Sequence, residues 1–270
     1  MIKKLLILIA LTINIFGLEL TDFLNKEMCG EKNQIIDKEI YTICYDTKMK
    51  GPAFVGYELD GKLVHSGNFK KRPGFYTEKN LKKNVRTSNG DFVWSGTDKG
   101  HLANHANFDN EKDLKRVSKT YSLANISPQY PTVNRKLWLK AEMAERDHAK
   151  RLGSLNVMNL VRYDNKQDYL QRMPIEDAIK LDKKRKAKKN NFKEWDDKKI
   201  KTYHKKSAST LKKKIVIPTA YYKIMWNDVE NFRKCYMYEN DKYATSSGDK
   251  LKHHKIDCKE LLSDFGLNRI

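Results

Sequence analysis

The sequence predicts an α+β fold with an antiparallel sheet as its core, and three observations predict it. Residues 40–45 and 54–59 alternate apolar and polar side chains, the period of half-buried strands, ahead of an Asp60-Gly61 turn. One helical stretch opens at about Thr132, after Pro128 and Pro131, and runs past Arg146. Strand character then returns at 155–161 and 215–225.

The chain starts with basic Lys3 and Lys4 and an apolar run over 5–16, broken only by Thr12 and Asn14. That run is short for a bilayer span, so residues 1–17 read as a cleaved secretory signal. An uncleaved anchor is the alternative, because Gly17 is small but Ile15 is not. The remainder, 18–270, reads as one exported domain, secreted or periplasmic, with no stable membrane association after cleavage. Its 54 basic against 34 acidic residues give a net charge of +20, well beyond what solubility needs, which favours a polyanion or an anionic surface as partner. The cysteines form two local pairs, Cys29 with Cys44 and Cys235 with Cys258. In an oxidising compartment two disulfides are the simplest reading, although four cysteines allow three connectivities, and the Cys-x-x-Cys spacing of a zinc site is missing.

In chain order, the strands at 40–45 and 54–59 lead through the Asp60-Gly61 hairpin to a third at 62–65, with His65 structural or solvated at its end. Arg72 follows, ahead of Pro73-Gly74, whose extended-then-turned backbone can leave the arginine pointing into a cleft.

The stretch Asp98-Lys99-Gly100-His101-Leu102-Ala103-Asn104-His105 organises the rest. Gly100 has no side chain, so backbone or substrate can come close to His101. His101 and His105 stand at i, i+4, but Leu102 occupies the place of the glutamate in a His-Glu-x-x-His zinc protease, which excludes that class. Downstream come Asn125-Ile126-Ser127-Pro128-Gln129 and the helix, on which Asn134, Trp138, Glu142 and Arg146 recur every four residues. At 100° per residue they form one slowly drifting ribbon that can face a single cleft.

In order and spacing these residues resemble the active centre of the DNA/RNA non-specific endonucleases, sugar-non-specific enzymes built on a ββα-metal motif. The resemblance covers residues 72 to 146, with a weaker echo at 217–223. It implies an endonuclease that hydrolyses phosphodiester bonds of DNA and RNA with little sequence preference. Such hydrolysis needs a base to ready a water and a cation to stabilise the added negative charge. The resemblance makes His101 the base and Asn134 the direct ligand of Mg2+, with Mn2+ or another divalent ion as alternatives. An amide oxygen suits an ion that keeps most of its waters. Glu142, about 12 Å further along the helix axis, is expected to act through a metal-bound water, and Arg72 to approach the scissile phosphate.

Supporting roles are less sharply drawn. Asp98 orders the motif strand or a neighbouring basic group, or is a buried structural carboxylate. Lys99 stands where most relatives carry arginine, which keeps the charge and loses the planar two-pronged grip on phosphate. Asn125 holds the metal's water shell or orients nearby side chains, and Arg146 pairs with Glu142 or reaches toward phosphate. Asn104 falls where many relatives have proline, Asn107-Phe108-Asp109 continues the family-like run, and His105 reads as a supporting or surface residue.

A Lys-rich insertion at about 183–214 is interrupted by Phe192, Trp195 and Tyr203. It is either a solvated insertion or an electrostatic arm that gathers polynucleotide, with aromatics to stack on bases. Residues 215–225 read as a late core strand, in which Lys223 is at most a phosphate contact. From 232 the sequence reads as a strand, a loop and a short helix tied by the second cysteine pair. A different class of function, a catalytically silent basic envelope protein that binds nucleic acid, fits the same charge.

Overall fold

The computed structural model describes residues 26–64, 72–109, 114–164, 168–188, 196–208 and 213–267. The signal-like segment 1–17, His65, Phe192 and Trp195 lie outside them. The predicted alternation builds one seven-stranded sheet, order β1-β2-β3-β6-β9-β10-β11, antiparallel throughout. Its strands are β1 (Gln34–Asp37), β2 (Thr42–Asp46), β3 (Gly51–Asp60), β6 (Ser154–Arg162), β9 (Ala220–Asn227), β10 (Phe232–Glu239) and β11 (Lys255–Ile256).

Successive side chains point to opposite faces, so each strand serves two cores. On one face Met158, Leu160, Ile224 and Trp226 meet α1 (Lys26–Cys29) and the C-terminal helix. Disulfides Cys29–Cys44 and Cys235–Cys258 tie that layer to the sheet, in the pairing expected from sequence. On the other face Val55, Tyr57, Val157, Tyr221 and Met225 carry the remaining layer.

That layer is a strand pair and a helix. β4 (Asp98–His101) pairs antiparallel with β5 (Ile126–Gln129), setting His101 opposite Ile126 and Gly100 opposite Ser127. Between them run a loop and α2 (Leu114–Lys119). Pro128 does not break the pair, because β5 belongs to a two-stranded sheet whose open edge tolerates a missing donor. Helical backbone starts at Pro131 rather than at a Thr132 cap, since Thr132 is itself helical with no side-chain cap. The first stretch, Val133–Trp138, is π-helical and continues into α3 (Leu139–Leu152).

Two expectations are corrected. The expected hairpin strand is not formed at 62–64, its described residues: Asp60 caps a turn over 61–64 by accepting from Lys62, Leu63 and Val64, and β6 takes the place beside β3. The 215–225 strand is interrupted by Pro218 into β8 (Val216–Ile217), which pairs with β7 (Asp168–Tyr169), and β9. Among the described residues of the Lys-rich insertion, 183–188 and 197–208 are helical, in α4 (Ile175–Lys188) and α5 (Asp197–Ala208), which close Ala178 and Ile200 over Trp94; residues 189–195 and 209–212 lie outside the described ones. The closing helix, α6 (Cys258–Asp264), is as expected and is capped by Asp257.

Lys223 is the largest departure. β9 turns it to the inner face, fully buried, where it makes a 2.6 Å ion pair with fully buried Glu145 of α3 and lies 4.6 Å from the Trp138 ring centroid. It is a lock between sheet and helix, not a phosphate contact. Removing one partner of a buried pair strands the other charge. Glu145→Ala is therefore expected to cost about 3–5 kcal/mol in urea denaturation, and adding Lys223→Met to recover much of it. A single-variant loss below about 1 kcal/mol, the range of exposed pairs, would contradict the lock.

Candidate active site

β4, the segment at 72–75 and the start of the helix surround a cleft of about 580 Å³. Its lining includes Arg72, Asp98, Lys99, His101, Asn134 and Glu142, so six of the eight residues singled out in the sequence converge there. His105, Asn104, Phe75, Tyr121, Arg135 and Leu139 complete much of the wall.

His101 ends β4 inside an aromatic collar: Tyr121 lies 5.1 Å from its ring, Phe75 5.3 Å and His105 5.9 Å. Its Nε2 is buried and has no hydrogen-bond partner among the described residues. Burial first, then the charges of His105 and Arg72, pull its pKa down to about 3. The imidazole is thus neutral at physiological pH, with a ring nitrogen able to accept a proton. Close approach at Gly100 is real but has another author than substrate: a Cβ there would lie 2.0 Å from the Gln129 Oε1.

Asp98 joins strand to helix. It accepts from Arg135 through Nε and Nη2, at 2.6 and 2.5 Å, and from Asn134 Nδ2 at 3.0 Å. A carboxylate can only accept, so it selects the NH2 end of the Asn134 amide and leaves the amide oxygen for another partner. Lys99 is held to the wall: its Nζ donates to Asn89 Oδ1 at 2.8 Å and sits 4.7 Å from the Phe75 centroid, and burial lowers its pKa.

The helix does not present its four-residue series as one ribbon. A π-helical turn carries more than four residues, so the register slips and Asn134, Arg135, Leu139 and Glu142 line the cleft while Trp138 is fully buried in the core. Arg146 is buried too and donates to Asn107 Oδ1 at 3.1 Å, one layer behind the cleft. Asn125 is likewise behind it: its Nδ2 donates to the carbonyls of Ala103 and Thr120 and its Oδ1 accepts from Ala103 N. It fixes the backbone after His101 and does not hold a water shell from inside the cleft.

Sequence reasoning missed the polar cluster beneath Glu142. Glu145 accepts from Tyr57, Asn107 and Lys223, and Asn159 donates to Tyr57 and to the Leu102 carbonyl. The available signal was a lysine and an asparagine on the apolar face of central strands, which need a buried partner. Glu142 is buried beside this cluster, and its pKa rises to about 8, chiefly through burial and then the Glu145 charge, against the pull of Lys223, Arg146 and Asn104.

The donor set fits a hard divalent cation: one amide oxygen oriented by Asp98 and one carboxyl, Glu142, on the same cleft wall. No group of three or more His, Cys, Asp or Glu that could hold a metal ion gathers among the described residues.

The model of the DNA/RNA non-specific endonuclease family matches residues 21–264. The chain belongs to that family. Mitochondrial endonuclease G of Homo sapiens is 29% identical over 113 residues, covering 42% of this chain and 37% of the relative. Mitochondrial nuclease EXOG of Xenopus laevis is 28% identical over 119 residues, 44% and 33% of the two chains. A nuclease of Nostoc sp. is 28% identical over 107 residues, 39% and 38%. The matched stretch thus spans under two fifths of each of these relatives. A chain in the crystal structure of the EndoG/EndoGI complex superposes with a TM-score of 0.63, 16% identity and 91% coverage of both chains, a likeness of fold.

Glu142 makes stability depend on pH. Its folded pKa of about 8 exceeds the ordinary 4.5, so the folded protein retains a proton that the unfolded chain loses. This contribution is fully present below 4.5 and is lost as pH rises through 8. In chelator, Glu142→Gln is expected to gain stability relative to the parent as denaturation is moved from pH 5 to pH 8.5. A difference that stays constant across that window would contradict the burial of this carboxyl.

Proposed function

We propose that this chain is an exported, divalent-metal-dependent endonuclease that hydrolyses phosphodiester bonds of DNA and RNA with little sequence preference. One observation carries the reading: a neutral histidine whose Nε2 has no hydrogen-bond partner among the described residues lines the cleft that also holds Arg72, Asn134 and Glu142. Membership of the endonuclease family supports it. Export draws support from the two disulfides, which persist in oxidising compartments.

His101 accepts at Nε2 the proton of a water that attacks phosphorus, and the bond to the leaving oxygen breaks. Arg72 meets the charge on the non-bridging oxygens, at the mouth of the cleft where it is exposed. Asn134 would hold Mg2+ through its amide oxygen and Glu142 would act through a water of the ion; when bound, the ion stabilises the developing negative charge and the leaving alkoxide. Lys99, tethered to Asn89, keeps a positive wall beside the phosphate. Little sequence preference follows if contacts go to phosphate and sugar rather than to base edges.

The test is cleavage of plasmid DNA and of a long RNA with Mg2+, with chelator, and by His101→Ala. Both substrates are expected to be cut by the parent with metal only. His101→Ala should lower turnover by roughly 10² to 10⁴, the span of a lost general base, with its circular dichroism unchanged. Near-normal cleavage by folded His101→Ala would remove the base assignment, and tight binding without cleavage by the parent would favour the silent nucleic-acid-binding protein.

A further inference from the structure

The segment leading into β4 carries an unusual residue. Trp94 has φ +54°, a left-handed backbone rare for a bulky side chain and kept only where surrounding contacts hold it. Those contacts come from the basic helices. Trp94 is buried against Ala178 of α4 and Ile200 of α5, its carbonyl accepts from Met173 N at 2.8 Å, and the His204 ring lies 5.9 Å away.

The base of the helical pair is stitched to the same segment. Arg172 Nη2 donates to the Gly90 carbonyl at 2.9 Å, and Lys213 Nζ donates to the Arg86 carbonyl and to buried Asp91, at 3.1 and 3.2 Å. Between these contacts Asn89 accepts from Lys99 and donates to the Phe75 carbonyl, and both Lys99 and Phe75 line the cleft. A continuous set of contacts therefore runs from the helices to the cleft wall.

Charge says what this surface takes. Residues 173–214 hold 16 Lys and Arg against 6 Asp and Glu, a net +10 and so half of the chain's +20. Lys183 and Lys184 on α4 and Lys198 and Lys201 on α5 are all exposed. Exposed lysines that neutralise phosphates release counterions from a polyphosphate chain.

We propose that the α4–α5 pair is a second nucleic-acid surface, anchored by Trp94 to the cleft wall, that takes the polynucleotide flanking the scissile phosphate. The inference rests on the endonuclease reading for its substrate class. Its consequence is discrimination by length: long chains touch cleft and helices together, short ones only the cleft.

The test uses the full chain, the combined variant Lys183→Ser, Lys184→Ser, Lys198→Ser and Lys201→Ser, and separately Trp94→Ala. Affinity for duplexes of about 10 and about 60 base pairs is measured against salt under chelation, so that binding is read apart from cleavage. The lysine variant is expected to lose about 0.9 in the slope of log K against log salt for each phosphate contact removed, on the long duplex only. With Mg2+, KM on the long duplex should rise about tenfold with kcat unchanged, the pattern of lost uniform binding. Trp94→Ala should reproduce the loss on the long duplex with every lysine intact. Unchanged slopes, or equal losses on both lengths, would overturn the surface; normal long-duplex binding by Trp94→Ala would overturn the anchor. Loss of binding to anionic phosphatidylserine vesicles with DNA binding intact would also overturn it, in favour of a membrane face. Helix-dependent binding by a parent that cuts neither substrate would support the surface while removing the endonuclease reading.

Discussion

Asp98 is the interaction on which the geometry of the cleft depends. His101 sits on a strand and Asn134 on a helix, and no covalent constraint sets one against the other. The carboxylate closes that gap, taking two hydrogen bonds from Arg135 and one from Asn134. Arg135 is largely exposed, so the pair with it adds little stability by itself. Its worth is in orientation: a carboxylate engaged by a planar guanidinium has a defined direction, and it then dictates which end of the neighbouring amide faces inward.

Below this joint the helix is held by a polar layer rather than by apolar packing alone. Glu145 and Lys223 are wholly buried, and Tyr57, Asn107, Asn159 and Arg146 satisfy much of what they and the nearby backbone require. Burying that many polar groups is costly unless each finds a partner, so the layer admits few arrangements of helix on sheet. The π-helical stretch belongs to the same constraint. It lets Trp138 drop into the core, against Tyr221 and Tyr238, while Leu139 and Glu142 stay on the cleft.

Much of this was legible in the residues. Period-two alternation marked the sheet, the local cysteine spacing marked both disulfides, and the Asp98–His105 stretch with its following helix marked the cleft. What stayed hidden has physical reasons. A π-helical turn changes the angular period of a helix, and the sequence of 133–138 has no feature that announces it, so four-residue spacing turns Trp138 toward the cleft although it is fully buried in the core; Arg146, one regular turn past Glu142, donates to Asn107 behind the cleft, a partner that spacing does not show. For Lys223 the sequence suggests at most a phosphate contact, because exposure is the ordinary state of lysine and its partner is 78 residues away in sequence. For Asn125 the sequence leaves two roles open, holding a metal's water shell or orienting nearby side chains, and does not show that both ends of its amide are used by backbone. Trp94 carried no visible signal at all, since its meaning lies in a backbone angle and in helices that follow about 80 residues later.

The central claim is that Asp98 orients Asn134 for a cation, and metal affinity reads it most directly. Mn2+ binding followed by electron paramagnetic resonance can compare the parent with Asp98→Asn, which keeps the shape of the side chain but adds a donor that no longer selects one end of the facing amide. Loss of a group that orients a metal ligand typically costs about 10- to 100-fold in affinity or activity. The account predicts a loss in that range, with the thermal midpoint of the metal-free protein little changed. Equal Mn2+ affinity in the two proteins would contradict it.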